Sequence, residues 1–202
     1  MPTEDMLGSS AAATTLPPVT PVMPRPARED DHRIAAACAA GDTVAFEDLY
    51  RRFGDRLKSI AFNHLGSVSD AEDAVQETFL KLHRAAASYN GEAALATWLF
   101  RILINTCYDA LRRRRRRIDE LPLEDFVAVT RAASSVDDTK RIALRRLLAE
   151  LPEQRRSVFV LFEIEGLSHA EIAQILDITE GNSKWILFST RKQLQEKWTN
   201  AR

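Results

Sequence analysis

Apolar residues recur at intervals of three and four along most of this chain. Phe46, Leu49, Tyr50, Phe53, Leu57 and Ile60 form one such run. It predicts a helix capped by Asp42, running to about Leu65 and ended by Gly66. Ala71, Ala74, Val75, Thr78, Phe79 and Leu82 mark the buried face of a second helix. Ser69 followed by Glu72 predicts a capping box at its start. The loop SYNGE at 88–92 leads to a third helix, about Ala94 to Arg115, with Leu95, Leu99, Ile102, Leu103, Thr106 and Ala110 toward a core.

The period lapses over residues 118–135 and returns near Asp137 with Ile142, Leu144, Leu147, Leu148 and Leu151. Pro152 suits the start of the next helix, which carries Val158, Phe159, Leu161 and Phe162 and stops at Gly166. Ser168 and Glu171 make another capping box, opening a short helix with Ile172, Ala173 and Leu176. After the turn Asp177-Ile178-Thr179, Thr179 caps a final helix from about Glu180 to Trp198. Short helix, tight turn and longer basic helix is the pattern of a helix-turn-helix.

The predicted fold class is therefore all-α, two small helical domains joined by a flexible linker. The expected division is a disordered proline-rich tail at 1–29, a helical bundle at 30–117, a linker at 118–136 and a helix-turn-helix unit at 137–202. Residues 1–28 hold six of the eight prolines, which supports disorder there.

Composition narrows the function classes. The chain of 202 residues is 45% hydrophobic and 28% charged, as in one or two small globular domains. No apolar run approaches the ~20 residues that cross a bilayer, and no secretory leader is visible. The expectation is a soluble, unexported protein without membrane insertion. Cys38 and Cys107 are far apart and read as buried thiols. The four histidines, 32, 64, 83 and 169, share no ligand spacing, so no metal and no cofactor are expected. Nothing pairs a nucleophile with a base or cradles a phosphate, so no catalytic residues are assigned.

Net charge is −1, yet its distribution is uneven. Residues 112–117 are all arginine, residues 118–140 carry six acids against two bases, and the last 22 residues carry five bases against one acid. Such segregation predicts separate surfaces for separate partners. Asp70, Asp73, Gln76 and Glu77 fall on the polar side of the second helix, although acids in a first turn also suit the helix dipole. Trp98, Arg101, Asn105, Tyr108 and Arg112 follow one another at helical spacing. Aromatic faces interleaved with cationic and amide groups suit unstacked bases, or else form a packing seam. The arginine run reads as a phosphate patch for DNA or RNA. On the last helix Lys184, Arg191 and Lys192 can neutralise phosphates, and Trp185 and Phe188 lie outside the inward row Ser183, Leu187, Thr190 and Leu194.

The stretches DAEDAVQETFLKLHR and YNGEAALATWLFRILINTCYDALRRRRRR resemble region 2 of bacterial sigma factors of the extracytoplasmic-function subgroup. LPEQRRSVFVLFEIEGLSHAEIAQILDITEGNSKWILFSTRKQL resembles their region 4. The resemblance spans about Asp30 to Trp198 and implies a promoter-specificity subunit of RNA polymerase. It implies that Asp70, Asp73, Gln76 and Glu77 dock on the clamp helices of the β′ subunit of core RNA polymerase, with the β flap as a further contact. It implies that Asn90, Gly91, Trp98, Arg101, Asn105 and Tyr108 open the minus-ten element and hold the melted non-template strand, with Arg112, Arg113, Arg115 and Arg116 on nearby phosphates. Ser168, Thr179, Asn182, Lys184, Trp185, Phe188, Arg191 and Lys192 would hold the minus-thirty-five element as duplex. The resemblance also implies an anti-sigma factor as partner, and a cytoplasmic protein that joins the nucleoid when bound to polymerase.

The chain departs from the family pattern at a few places. Ala96 stands where a basic residue is common, Ser183 where valine is, and Ile186 and Ser189 where arginines are. Losing two cations on the recognition helix is expected to weaken DNA contacts there and to change the sequence read. The alternative reading is a helix-turn-helix regulator that binds duplex DNA without core polymerase.

Overall fold

A computed structural model describes residues 29–120 and 144–200, with the side chains of 118–120 and 200 excepted. The expected tail, most of the expected linker and the helix start near Asp137 lie outside the described residues. Every element among the described residues is helical, as the 3.6-residue period predicts.

Helix α1, Glu29–Ala39, is an element the periodicity did not flag. It buries only Ala35 and Cys38, too few positions to make a visible stripe. Three acids in its first turn favour the helix dipole. Helix α2, Thr43–Leu65, begins as predicted, with the Asp42 carboxylate accepting from the Val44 amide at 2.9 Å. Gly66 ends it at φ 76°, a left-handed cap that glycine adopts without Cβ strain.

Helix α3, Val68–Ala85, is capped by Ser67, not by Ser69 as the capping-box pattern suggested. The Ser67 hydroxyl accepts from the Asp70 amide at 3.3 Å, and Ser69 and Glu72 are both exposed on the first turns. The helix starts earlier because Gly66 has already turned the chain. After a 3-10 turn at Ala86–Ser88, helix α4 runs over Leu95–Glu120. It continues beyond the expected end, since arginine is a good helix former and the run carries no breaker.

Helical residues 144–149, here α5, lead to Pro152, which is the N-cap of α6, Glu153–Phe159. A π-helical turn at Val160–Ile164 follows, and Gly166 at φ 68° redirects the chain. Helix α7, His169–Leu176, opens with the predicted Ser168/Glu171 capping box. Asp177 takes a left-handed conformation, and the Thr179 hydroxyl accepts from the Asn182 amide at 3.1 Å to start α8, Glu180–Asn200.

Helices α2, α3 and α4 pack on one another with α1 across one end. Leu49, Leu57, Ile60, Leu82, Leu99 and Leu103 are fully buried there. In the second half Val158, Leu161, Ile172 and Leu187 are buried together with Leu194. Cys38 and Cys107 are buried free thiols, and burial pushes the Cys107 thiol up to about 12.

The two halves do not stand apart. Helix α4 lies against α7, and α2 touches α6 and the π-helical turn. A polar seam joins them. Arg156 is almost fully buried and donates to four backbone carbonyls: Leu148 at 2.8 Å, Ala149 at 2.7 Å, Leu151 at 3.1 Å and, across the seam, His64 at 2.6 Å. The His64 ring bonds the Ile60 carbonyl through Nδ1 and the Ser157 hydroxyl through Nε2, each at 2.8 Å. Eight residues earlier on α2, Arg56 pairs with Glu165 at 3.0 Å while its guanidinium covers the Phe100 ring.

Candidate functional site

The early start of α3 decides which side chains share its outer face. Asp70, Asp73 and Gln76 are exposed, and Glu77 is half-buried beside them. Across a cleft from this stripe stand Arg113, Arg114 and Arg117 of α4. Arg113 pairs with Glu77 at 3.0 Å, and Lys81 holds the same carboxylate at 3.2 Å. Burial alone would raise the Glu77 carboxyl. The hydrogen bonds from Arg113 and Lys81 outweigh that and hold it below the usual carboxylate range.

The arginine run is therefore not one uniform patch. Successive residues on a helix point ~100° apart, and each side finds different neighbours. Arg112 pairs with Asp109, Arg113 with Glu77, and Arg115 with Glu153 of the second half at 3.0 Å. Arg114, Arg116 and Arg117 are exposed.

Upstream, the loop at 89–94 is held from several sides. The Tyr89 hydroxyl donates to the Ala93 carbonyl at 2.7 Å, and the Asn90 side chain accepts from the Glu92 amide at 3.1 Å. Gly91 sits at φ 77°, and a Cβ there would lie 2.2 Å from the His32 ring. Only glycine fits. Asp31 of α1 caps α4 by accepting from the Leu95 amide at 3.0 Å. The rings of His32, Tyr89 and Trp98 follow one another at 5.3 Å and 5.4 Å. Sequence reading missed Asp31 and His32, because their partners are more than fifty positions away in the chain.

From this loop the α4 stripe divides. Trp98 is half-buried, while Arg101 and Asn105 are open to solvent. Tyr108 is instead engaged in the seam, its hydroxyl 2.7 Å from that of Ser157. Burial raises its pKa, offset in part by that hydrogen bond.

In the helix-turn-helix, the Ser168 hydroxyl and Thr179 are occupied as caps. Asn182, Lys184, Trp185, Phe188 and Lys192 are exposed on α8. Lys184 pairs with Glu180 at 2.6 Å, and Arg191 reaches Glu163 at 2.5 Å while lying over Phe162. Ser183, fully buried, bonds the His169 ring at 2.9 Å, so its hydroxyl is satisfied in the core-facing row. Ile186, at the position where the family resemblance points to an arginine, is buried at 3% exposure.

Among the described residues no group of three His, Cys, Asp or Glu side chains is arranged to hold a metal ion. No helix described is long and apolar enough to cross a membrane.

The family model for sigma-70 region 2 matches residues 49–117, and that for sigma-70 region 4 matches residues 141–194. The chain is 37% identical over 154 residues to the ECF RNA polymerase sigma factor SigM of Mycobacterium tuberculosis, covering 76% of this chain and 77% of that protein. It is 28% identical over 181 residues to the RNA polymerase sigma-H factor of Pseudomonas aeruginosa, covering 84% and 94%. Among solved structures, CnrH in complex with the cytosolic domain of CnrY shares the fold at a TM-score of 0.67 and 24% identity, covering 86% of this chain and all of that one. The sigma factor RpoE in complex with the anti-sigma factor NepR, from Bartonella quintana, superposes at 0.61 with 26% identity, covering 78% and 98%. With two sigma-70 regions in order and a relative of that identity matched over three quarters of its length, the chain belongs to the extracytoplasmic-function family of RNA polymerase sigma factors.

Proposed function

We propose that the two halves of this sigma factor divide promoter recognition between them, residues 30–117 acting as region 2 and residues 137–202 as region 4. The α3 stripe of Asp70, Asp73, Gln76 and Glu77 docks core RNA polymerase. Asn90, Gly91, Trp98, Arg101 and Asn105 take the opened strand of the downstream element, with Tyr108, Arg112, Arg113, Arg115 and Arg116 beside them. Helix α8, with Ser168 at the start of α7 and Thr179 at the end of the turn between the two helices, holds upstream duplex through Asn182, Lys184, Trp185, Phe188, Arg191 and Lys192. The reading assigns the chain no catalytic step and no cofactor, and places it in the cytoplasm.

The observation that carries this reading is the α4 run of half-buried Trp98 and exposed Arg101 and Asn105, one helix away from a separate acidic stripe. Strand opening costs stacking energy, and an aromatic platform returns ~1–3 kcal/mol per base. An acidic stripe sets orientation and encounter rate with a basic partner more than affinity. Tyr108 is hydrogen-bonded to Ser157 across the seam, so its use on DNA requires the halves to part. The relative RpoE is recorded with an anti-sigma factor. We extend a partner of that class to this chain, acting by holding the seam closed.

The test is capture of core polymerase by the full chain and by an Asp70→Lys/Asp73→Lys variant. Both residues are exposed, so the helical circular dichroism should not change. We expect retained association for the wild type and at least tenfold weaker association for the variant, on the order of a lost docking electrostatics of 1.4 kcal/mol. Equal capture of the two would remove the docking assignment.

A further inference from the structure

We infer that residues 16–25, in the proline-rich segment before α1, dock in an apolar groove between α2 and α3 and there compete with core polymerase. The competition rests on the reading that the α3 stripe docks polymerase; the docking of the segment does not.

The groove encloses about 750 Å³. Two aromatic pairs cross it one helical turn apart, Phe46 with His83 and Tyr50 with Phe79, each at 5.7 Å between ring centroids. Leu80 on its rim is 61% exposed and Tyr50 47%. A contiguous apolar surface of this kind marks a docking site.

The chain carries a segment of matching chemistry. Residues 16–25 read LPPVTPVMPR, with Pro18, Pro21 and Pro24 spaced by three. A polyproline II strand has three residues per turn and rises ~3.1 Å per residue. These prolines then make one ridge, and Leu16, Val19 and Val22 make a second. Aromatic-lined grooves take such strands because the strand loses little entropy on docking.

Position and charge favour this occupant over a second copy of the chain. Helix α1 begins at Glu29 and ends beside the groove: His83 meets the Cys38 carbonyl at 3.2 Å, and Gly41 is part of the lining. Eleven helical residues span ~16 Å. The chain from Pro24 to Glu29, when extended, spans about the same distance. Folding back along α1 therefore brings Pro24 to the groove mouth, where the exposed Glu47 carboxylate gives Arg25 a partner. A tether this short raises the local concentration of the segment to roughly millimolar, which another molecule does not match in dilute solution. Gln76 belongs both to the groove and to the α3 stripe, so a docked segment covers part of the polymerase-docking face.

The test uses the full chain carrying Val22→Cys and Leu80→Cys, treated in dilute solution with a short bismaleimide. Cys38 and Cys107 are buried, so the two added thiols are the reactive ones, and Leu80 is exposed, so its loss spares the core. We expect a crosslink within one chain, and its disappearance when Pro18→Ala, Pro21→Ala and Pro24→Ala are added. A segment docked about nine-tenths of the time weakens apparent polymerase affinity about tenfold. The triple proline variant without added cysteines should therefore capture core polymerase about tenfold more tightly than the wild type. A crosslink no more frequent than in a Val22→Cys/Trp185→Cys chain overturns the inference. Crosslinks formed only between chains give the groove to a second copy and also overturn it. An intramolecular crosslink with unchanged capture overturns the competition. The polymerase-docking reading fails separately, by equal capture of the Asp70→Lys/Asp73→Lys variant, whatever the crosslink shows.

Discussion

Acidifying the protein from about pH 7.5 to about pH 5 should cost it stability through one imidazole. His64 is enclosed at the seam, Nδ1 donating to the Ile60 carbonyl and Nε2 bonded to Ser157. Burial is the main force that pushes its pKa from 6.5 down to about 4, and the nearby Arg156 guanidinium adds to it against the Ile60 bond. The folded ring is therefore neutral, whereas the unfolded ring takes a proton as pH falls through 6.5. Between those limits the unfolded state binds more protons, so stability falls on acidification and the loss is complete near pH 4. Integrated to about pH 5, the difference is ~2 kcal/mol. His169 is depressed as well, first by burial, and acts with the same sign. Glu77 and Asp109 are held low by their basic partners, so they lose their contribution only below this window. Urea unfolding of the wild type and of His64→Gln at the two pH values isolates the ring, because every other group is common to both. The wild type should lose ~2 kcal/mol more than the variant. Equal losses would show that His64 is not enclosed as a neutral ring, and the seam as described would be wrong.

Two further outcomes follow from residues that the structure shows to be constrained. Gly91→Ala places a Cβ 2.2 Å from His32 at φ 77°; the left-handed conformation alone costs ~1–2 kcal/mol. Permanganate footprinting should show less strand opening with polymerase capture unchanged, and full opening would contradict the role given to the loop. Arg156→Met leaves four buried carbonyls without their donor. A buried acceptor left unsatisfied costs ~1–3 kcal/mol, so thermal unfolding should move down by several degrees, and an unchanged midpoint would contradict it.

Much of the fold was legible because local chemistry and tertiary packing agree. Asp42, Gly66, Thr179 and the Ser168/Glu171 pair each announce a helix boundary by satisfying amides within a few residues. Ser69/Glu72 has the same form, and it misled because Gly66 places Ser67 at the cap first. The inward row of α8 is readable from period alone, yet that row does not include Ile186, which is also buried. Isoleucine in the inward-adjacent position gains from burial, and the helix turns it in. What could not be read is the seam. His64, Arg156, Ser157 and Tyr108 are polar residues on helical faces whose partners lie about fifty to ninety positions away. No local spacing encodes that. The π-helical turn at Val160–Ile164 is likewise invisible in a run of apolar residues, although it carries the chain on to Glu165, which meets Arg56.

Initiation itself is the measurement that bears most directly on the division of labour between the halves. Core RNA polymerase would be mixed with genomic promoter fragments, with and without the full chain, and transcript starts mapped. The account predicts new starts that depend on the chain and disappear with Trp98→Ala/Asn105→Ala, whose polymerase capture stays normal. Binding to duplex without polymerase, and no new start in its presence, would contradict it.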